Sequence, residues 1–516
     1  MISLEAKIGQ MTMVGFDGLH APDYILQWLA SGRIGGVYFF SRNIDNPQQV
    51  ERMTHACHTA APSPILIGID QEGGTVARLR DGFTESPGAL VLGAAGSAEL
   101  AERVSQMLAT EMRALGINWT FAPVADVTHD INNPTVGARS LGMDKNYVSR
   151  MVAAEVRGFQ SGGVAACAKH YPGLGNSPVD THKALAVIDS PADFMRENDL
   201  APFRAAIQAN VATMMTTHTL YTAFDQEYPA TLSPVLLRQV LRDELGFQGV
   251  VCTDCMEMKA IADHYGSGEA AVLAALAGAD LILVSHTVEA QEEAYAALVA
   301  AAKSGRLPET LIDAAVERIQ TVKRRFALTK QPPLSVIRSA EHLALADQAA
   351  RAGIVLLRQD AAIFPLRPDQ HKIGLVEFAS YLDSPAMDKG EQTGFVRAFQ
   401  KRAPKTPIVS LKPDPTEETW QRAQQVAKKV EVLVLATRSA HLQPEQLQRA
   451  QELLKLARQV ILVCLRNPYD VNELSGARTI LCACGDSTPS LQAAVAALFG
   501  DFTPTGKLSV QVKLAV

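Results

Sequence analysis

The sequence predicts an α/β protein in two parts, an N-terminal (β/α)8 TIM-type barrel followed by a smaller α/β sandwich domain. Three observations carry this. Short apolar runs alternate with amphipathic stretches eight times before residue 326. An aperiodic segment with Gln331-Pro332-Pro333 then interrupts at 327–339, and a second, shorter alternation fills 340–516. A chain of 516 residues is too long for one ordinary core, which agrees with two domains.

The eight strand candidates are 11–15, 35–40, 65–70, 119–124, 164–170, 211–217, 250–254 and 281–285. Between them 46–59, 98–115, 146–159, 234–245 and 268–277 carry helical periodicity. The opening unit is the weakest, because its helix candidate at 24–30 is short and closely follows Asp17-Gly18 and Pro22. Two helices, 289–302 and 308–326, follow the eighth strand, so the barrel is expected over 1–326 and 327–339 reads as a linker. In the second domain a helix at 341–352 precedes strands at 354–357, 373–377, 408–411, 430–436, 460–465 and 479–484. Helices at 416–428 and 444–456 lie between them, which reads as a parallel or mixed sheet covered on both faces.

Bulk properties narrow the partners. A net charge of −6 gives no electrostatic reason to expect nucleic acid or an acidic membrane. No apolar run approaches the ~20 residues that span a bilayer. The seven cysteines cannot all pair within the chain, and most sit in apolar runs, so buried free thiols in a reducing compartment are the simpler account. The first residues, Met1-Ile2-Ser3-Leu4-Glu5-Ala6-Lys7, lack the basic, apolar and small-residue order of a signal peptide. The expectation is a cytoplasmic protein.

Barrel enzymes place their chemistry at the carboxyl ends of the strands. Here Asp70 ends the third run, Lys169 and His170 end the fifth, Thr216, Thr217 and His218 end the sixth, and Asp254 ends the seventh. One such residue is often only a cap for the next helix. Several converging on one rim make capping a poor account of all of them. Lys169 to His182 starts as a strand and becomes a loop rich in Gly and Pro, able to carry side chains over the barrel mouth. In it Asp180 and His182 are one residue apart, so the carboxylate can hold one imidazole nitrogen and leave the other free to exchange a proton. Asp254 is the nucleophile candidate, a strand-end carboxylate kept ionised by cations such as Lys169. Asp70, Arg78 and Arg139 suit the vicinal hydroxyls of a sugar; for either arginine the competing reading is a surface salt bridge. Cys252 and Cys255 have metal-pair spacing but no second pair, and core packing is the better reading. His55 and His58 flank Cys57 on what reads as a half-exposed helix face.

Taken in order, Gly68-Ile69-Asp70-Gln71-Glu72-Gly73-Gly74 with Arg78, the run 121–127, Arg139, the segment 169–182, and Thr253-Asp254-Cys255-Met256-Glu257-Met258 resemble glycoside hydrolase family 3, bacterial β-N-acetylglucosaminidase branch. The likeness covers nearly all of residues 5–330. It implies Asp254 as nucleophile, Asp180 and His182 as an acid/base dyad, and Asp70, Arg78, Arg139, Lys169 and His170 as binders of the N-acetylglucosamine unit. It implies hydrolysis of terminal β-linked N-acetylhexosamine from muropeptide-type or amino-sugar substrates with retention, without cofactor or metal. It also departs: Pro172-Gly173-Leu174-Gly175-Asn176 stands where the branch reads Pro-Gly-His-Gly-Asp, and Cys255 where Asp is usual. These changes bear on the loop, the aglycone and the pH optimum. Two other functions are open on the sequence, a phosphorylase of the same sugars, because a histidine donor adds no second carboxylate to repel phosphate, and a barrel that binds sugar without turnover.

Overall fold

The computed structural model describes residues 2–180, 184–379 and 394–514. Each of the eight N-terminal apolar runs forms a strand: β1 (Thr12–Gly15), β2 (Gly36–Phe39), β3 (Leu66–Ile69), β4 (Trp119–Thr120), β5 (Cys167–Tyr171), β6 (Thr213–Thr216), β7 (Val250–Cys252) and β8 (Ile282–Val284). All pair in parallel. β8 pairs with β1, β1 with β2, β2 with β3 and β3 with β4; β5 pairs with β6 and β6 with β7. Single bridges at Trp119–Ala165, Val124–Lys169 and Cys252–Leu281 close the ring between these two arcs.

The interior explains the composition of the strands. Gly68 faces Met13 and Phe121 so closely that an added Cβ would sit 2.8 Å from the Met13 methyl and 3.0 Å from the Phe121 ring, so a larger residue in β3 would require these side chains to shift. Trp119 is fully buried and donates from Nε1 to the Thr213 hydroxyl at 2.9 Å. The outer helices start on side-chain caps that take up otherwise orphaned amides: Asn46 for Pro47–Ala60, Ser97 for Ala98–Ala114, and Asp144 for Lys145–Ser161. The short opening helix is present at Asp23–Ala30. The segment Val235–Glu244, expected as an ordinary helix, is wound wider, with i→i+5 spacing.

The C-terminal part is a six-stranded mixed sheet. Its strands are β9 (Val355–Arg358), β10 (Ile373–Phe378), β11 (Ile408–Leu411), β12 (Val432–Thr437), β13 (Val460–Cys464) and β14 (Thr479–Cys482), in the order β9-β14-β13-β12-β10-β11. Only the β9–β14 pairing is antiparallel. Runs such as Val432–Thr437 are buried along their whole length, because helices cover both faces. One of its two apolar layers reaches into the barrel: Leu90, Val91, Ala94 and Ala138 are buried in the same cluster as Leu433, Leu435, Leu462 and Ile480, with Ile131 and Met143 packed against it. All seven cysteines are free and buried. Among the described residues, no helix is long and apolar enough to cross a membrane.

Candidate active site

A cavity of about 360 Å³ opens at the carboxyl end of the barrel, at the small end of the range for small-molecule sites. Asp70, Arg78, Arg139, Lys169, His170 and Asp254 all line it, although they come from four different stretches of chain. Arg78 reaches Asp70 because Gln71–Gly73 and Val76–Ala77 fold into a small antiparallel hairpin, which returns the chain so that the Arg78 amide donates to Asp70 O at 3.3 Å.

Most of the lining charges form one buried network. Lys169 Nζ bridges two carboxylates, Asp70 Oδ1 at 2.7 Å and Glu72 Oε1 at 2.6 Å. Arg78 Nη2 donates to Asp70 Oδ2 at 2.9 Å, and the Tyr38 hydroxyl donates to the same oxygen. Arg139 grips Glu72 with two nitrogens, Nε to Oε2 at 2.9 Å and Nη2 to Oε1 at 2.7 Å. The arginines therefore make buried pairs, not the surface salt bridges that the sequence left open. Burial alone would raise the Asp70 carboxyl, but Lys169 and Arg78 outweigh it and hold it well below the usual carboxylate range. Glu72 follows the same balance: burial opposes its charge, Arg139 and Lys169 prevail, and its pKa is lowered to about 2. Burial would lower Lys169, yet Asp70 and Glu72 raise it overall. Tyr38, raised well above its ordinary value by burial and by Asp70, remains a donor.

His170 is held from behind. Its Nδ1–H donates to Asp126 Oδ2 at 2.8 Å, which leaves Nε2 as the acceptor, 3.4 Å from Arg139 Nη2. Asp126, fully buried, also takes the amides of His170 and Leu174 on Oδ1, at 3.2 and 2.7 Å. Asp254 is held more lightly: Oδ1 accepts from the Cys255 amide at 2.7 Å, and the residue is partly exposed. His218 lies beside it, donating from Nε2 to the Cys255 carbonyl at 2.9 Å. Phe40, Arg42 and His286 form the outer rim, with the Arg42 guanidinium 4.1 Å from the Phe40 ring centre.

Of the two other expected residues, Asp180 is not among those that line the cavity. Asp180 is buried in the loop after β5, where its carbonyl accepts from the Ala184 amide at 3.2 Å. His182 lies outside the described residues. Three residues of the network had no role assigned from sequence. Glu72 follows Asp70 by two positions, and that period of two was the available signal. Asp126 ends an apolar run as the assigned residues do. Tyr38, inside an apolar run, reads as core and offered no signal.

Comparison with known proteins agrees with this geometry. Residues 3–322 match the model for the glycosyl hydrolase family 3 N-terminal domain, and residues 354–516 match that for its C-terminal domain. A β-hexosaminidase A of Pseudoalteromonas piscicida is 30% identical over 385 residues, 69% of this chain; the chain spans 64% of that relative's length. A β-hexosaminidase of Stenotrophomonas maltophilia is 38% identical over 294 residues, 55% of this chain and 86% of its own. A solved family 3 β-N-acetylglucosaminidase from Paenibacillus sp. str. FPU-7 superposes with a TM-score of 0.94 at 35% identity, covering 100% of both chains. A β-glucoside phosphorylase shares the fold, with a TM-score of 0.82 at 22% identity over 99% of this chain and 94% of its own.

Proposed function

This chain belongs to glycosyl hydrolase family 3, and from that premise we propose that it is a retaining exo-β-N-acetylglucosaminidase. The observation that carries the reading is the position of Asp254 at a cavity of one-sugar size, beside a wall of hydroxyl-binding charges. In the first step Asp254 attacks the anomeric carbon, the bond to the aglycone oxygen breaks, and the His182 imidazolium gives that oxygen its proton. Asp180 holds the other nitrogen of His182. In the second step His182 takes a proton from water, the water oxygen bonds to the anomeric carbon, and Asp254 leaves as a carboxylate. Asp70 accepts from the sugar hydroxyls, while Arg78, Lys169 and Arg139 donate to them. The Nε2 lone pair of His170 accepts.

The names of the relatives support a β-linked N-acetylhexosamine as the glycone, and a muropeptide fragment is the proposed natural substrate. Buried free thiols support a cytoplasmic setting. We divide the chain into a catalytic unit at 1–326, a linker at 327–339 and a second domain at 340–516.

The test is release of p-nitrophenol from its β-N-acetylglucosaminide and its β-glucoside, with and without phosphate, by wild type and Asp254→Asn. Preference for the N-acetyl substrate that disappears in the variant supports the reading. A sugar phosphate as product makes the enzyme a phosphorylase. Silence on both substrates leaves a barrel that binds without turnover.

A further inference from the structure

We propose that His441, on the C-terminal domain, is a positioning residue for the sugar site, acting through the barrel segment 126–142. The inference rests on the reading of that cavity as the sugar site.

The segment touches the site and the second domain alternately. At one end Asp126 holds His170 and the Leu174 amide. The amides of His129 and Asp130 then both donate to Gly175 O, at 3.2 and 3.3 Å, and the Asn133 side chain donates to Leu174 O at 2.8 Å. At the other end Arg139 grips Glu72. The approach to the 172–176 loop is close enough that a Cβ on Gly175 would fall 1.5 Å from Val127 O. Two elements packed backbone to backbone in this way move together. Between these contacts Ile131 and Ala138 pack with the apolar layer of the C-terminal sheet, and Met143 does so just beyond the segment.

His441 fixes the outer bend. Its Nε2 lies 3.1 Å from Ile131 O, its Nδ1 lies 2.9 Å from Asp470 Oδ1, and its own amide donates to the same Asp470 oxygen at 3.0 Å. Asp470 is fully buried, and the Tyr469 ring stands edge-on to the imidazole with centroids 5.2 Å apart. Ring and partner are therefore clamped before they reach Ile131. Asn467 adds a second stop: it donates to Ser439 Oγ at 3.0 Å and closes on Gly137, where an added Cβ would lie 3.2 Å from its Nδ2. The two groups that this segment delivers, Arg139 and the Asp126–His170 pair, belong to sugar binding. Asp254 is carried beyond β7, and its hydrogen bond among the described residues comes from the Cys255 amide, not from this segment.

The experiment compares wild type, His441→Ala and Asn467→Ala with His342→Ala. His342 is another histidine bound to a carboxylate across the same two parts of the chain, Nδ1 to Glu111 Oε1 at 2.8 Å, but it lies off the 126–142 segment. Misplacement of binding groups predicts a KM for p-nitrophenyl β-N-acetylglucosaminide raised roughly tenfold in His441→Ala, with kcat within about twofold. Asn467→Ala shifts KM the same way by less, and carries the test if His441→Ala does not fold. His342→Ala leaves both constants unchanged. Amide hydrogen exchange over 126–142 and 172–180 rises in His441→Ala and Asn467→Ala but not in His342→Ala. Equal kinetic effects at His441 and His342, or unchanged exchange over 126–142, overturn the proposal. If wild type releases no p-nitrophenol, the functional reading fails, and hydrogen exchange still decides whether the clamp exists.

Discussion

Asp70 and Glu72 lie at one cavity with Asp254, yet the protein treats them in opposite ways. Each of the first two is matched by two cations within 3 Å, with Lys169 shared between them. Among the described residues, Asp254 has one hydrogen bond, from the amide of the next residue. A carboxylate with two charged partners is stiff, fully ionised and a poor nucleophile, because its lone pairs are already engaged. A carboxylate held by a single amide keeps its orientation and most of its lone-pair capacity. A fourth carboxyl, Glu155 on the outer helix, extends the series: it is only 6% exposed and among the described residues forms no ion pair. Among the described residues, partner number thus separates two carboxylates with paired cations, one held by a single amide, and one with no ion pair.

Four substitutions break or sharpen this contrast. The largest effect is expected at Asp254. Asp254→Asn keeps the shape, removes the attacking charge, and is expected to lower kcat by roughly 10³-fold or more, measured by p-nitrophenol release. Lys169→Met comes next, because it removes one of the two cations from each of two buried carboxylates at once. Stability should fall by about 3–5 kcal/mol in urea unfolding, and KM should rise together with that loss.

Glu155→Gln should act in the other direction. Burial, with a smaller push from Glu72, raises the Glu155 carboxyl to about 8. The native state therefore holds this proton more tightly than the unfolded chain does, and stability declines as pH climbs from the ordinary value of 4.5 towards 8. The amide should add on the order of 4 kcal/mol at pH 8 and nothing at pH 4, with unchanged kcat; equal gains at both pH values would refute the assignment. The smallest effect is expected for Cys255→Ser. Burial pushes this thiol up to about 12, so it carries no charge beside Asp254, and kcat should stay within about twofold.

The strands were legible because each is a short apolar run. Lys169 was legible because a charge at the end of such a run is too costly to bury without a partner or a ligand, whereas the burial of Arg78 and Arg139 was not. Glu72 and Asp126 obeyed the same rule but stood inside motifs whose other members drew the assignment. Tyr38 was illegible, since a phenol within an apolar run looks like packing until its hydroxyl is seen on Asp70. The wide winding of 235–244 has no signature in a periodicity that fits either helix. The grip of the C-terminal sheet on Ile131 and Ala138 joins residues some three hundred positions apart, and no local pattern records it. The proton-donating half of the proposed dyad, His182, still rests on the sequence.

The shared apolar layer ties the histories of the two parts together. Ala138 lies in one core with Leu433 and Ile480, one residue away from Arg139, which lines the cavity at the barrel mouth. Packing against the distant sheet and the pocket wall thus meet at adjacent residues, and a C-terminal domain borrowed from a relative would present Ala138 with a different surface. An exchange of the C-terminal sheet would have to preserve the surface on which Ile131 and Ala138 pack.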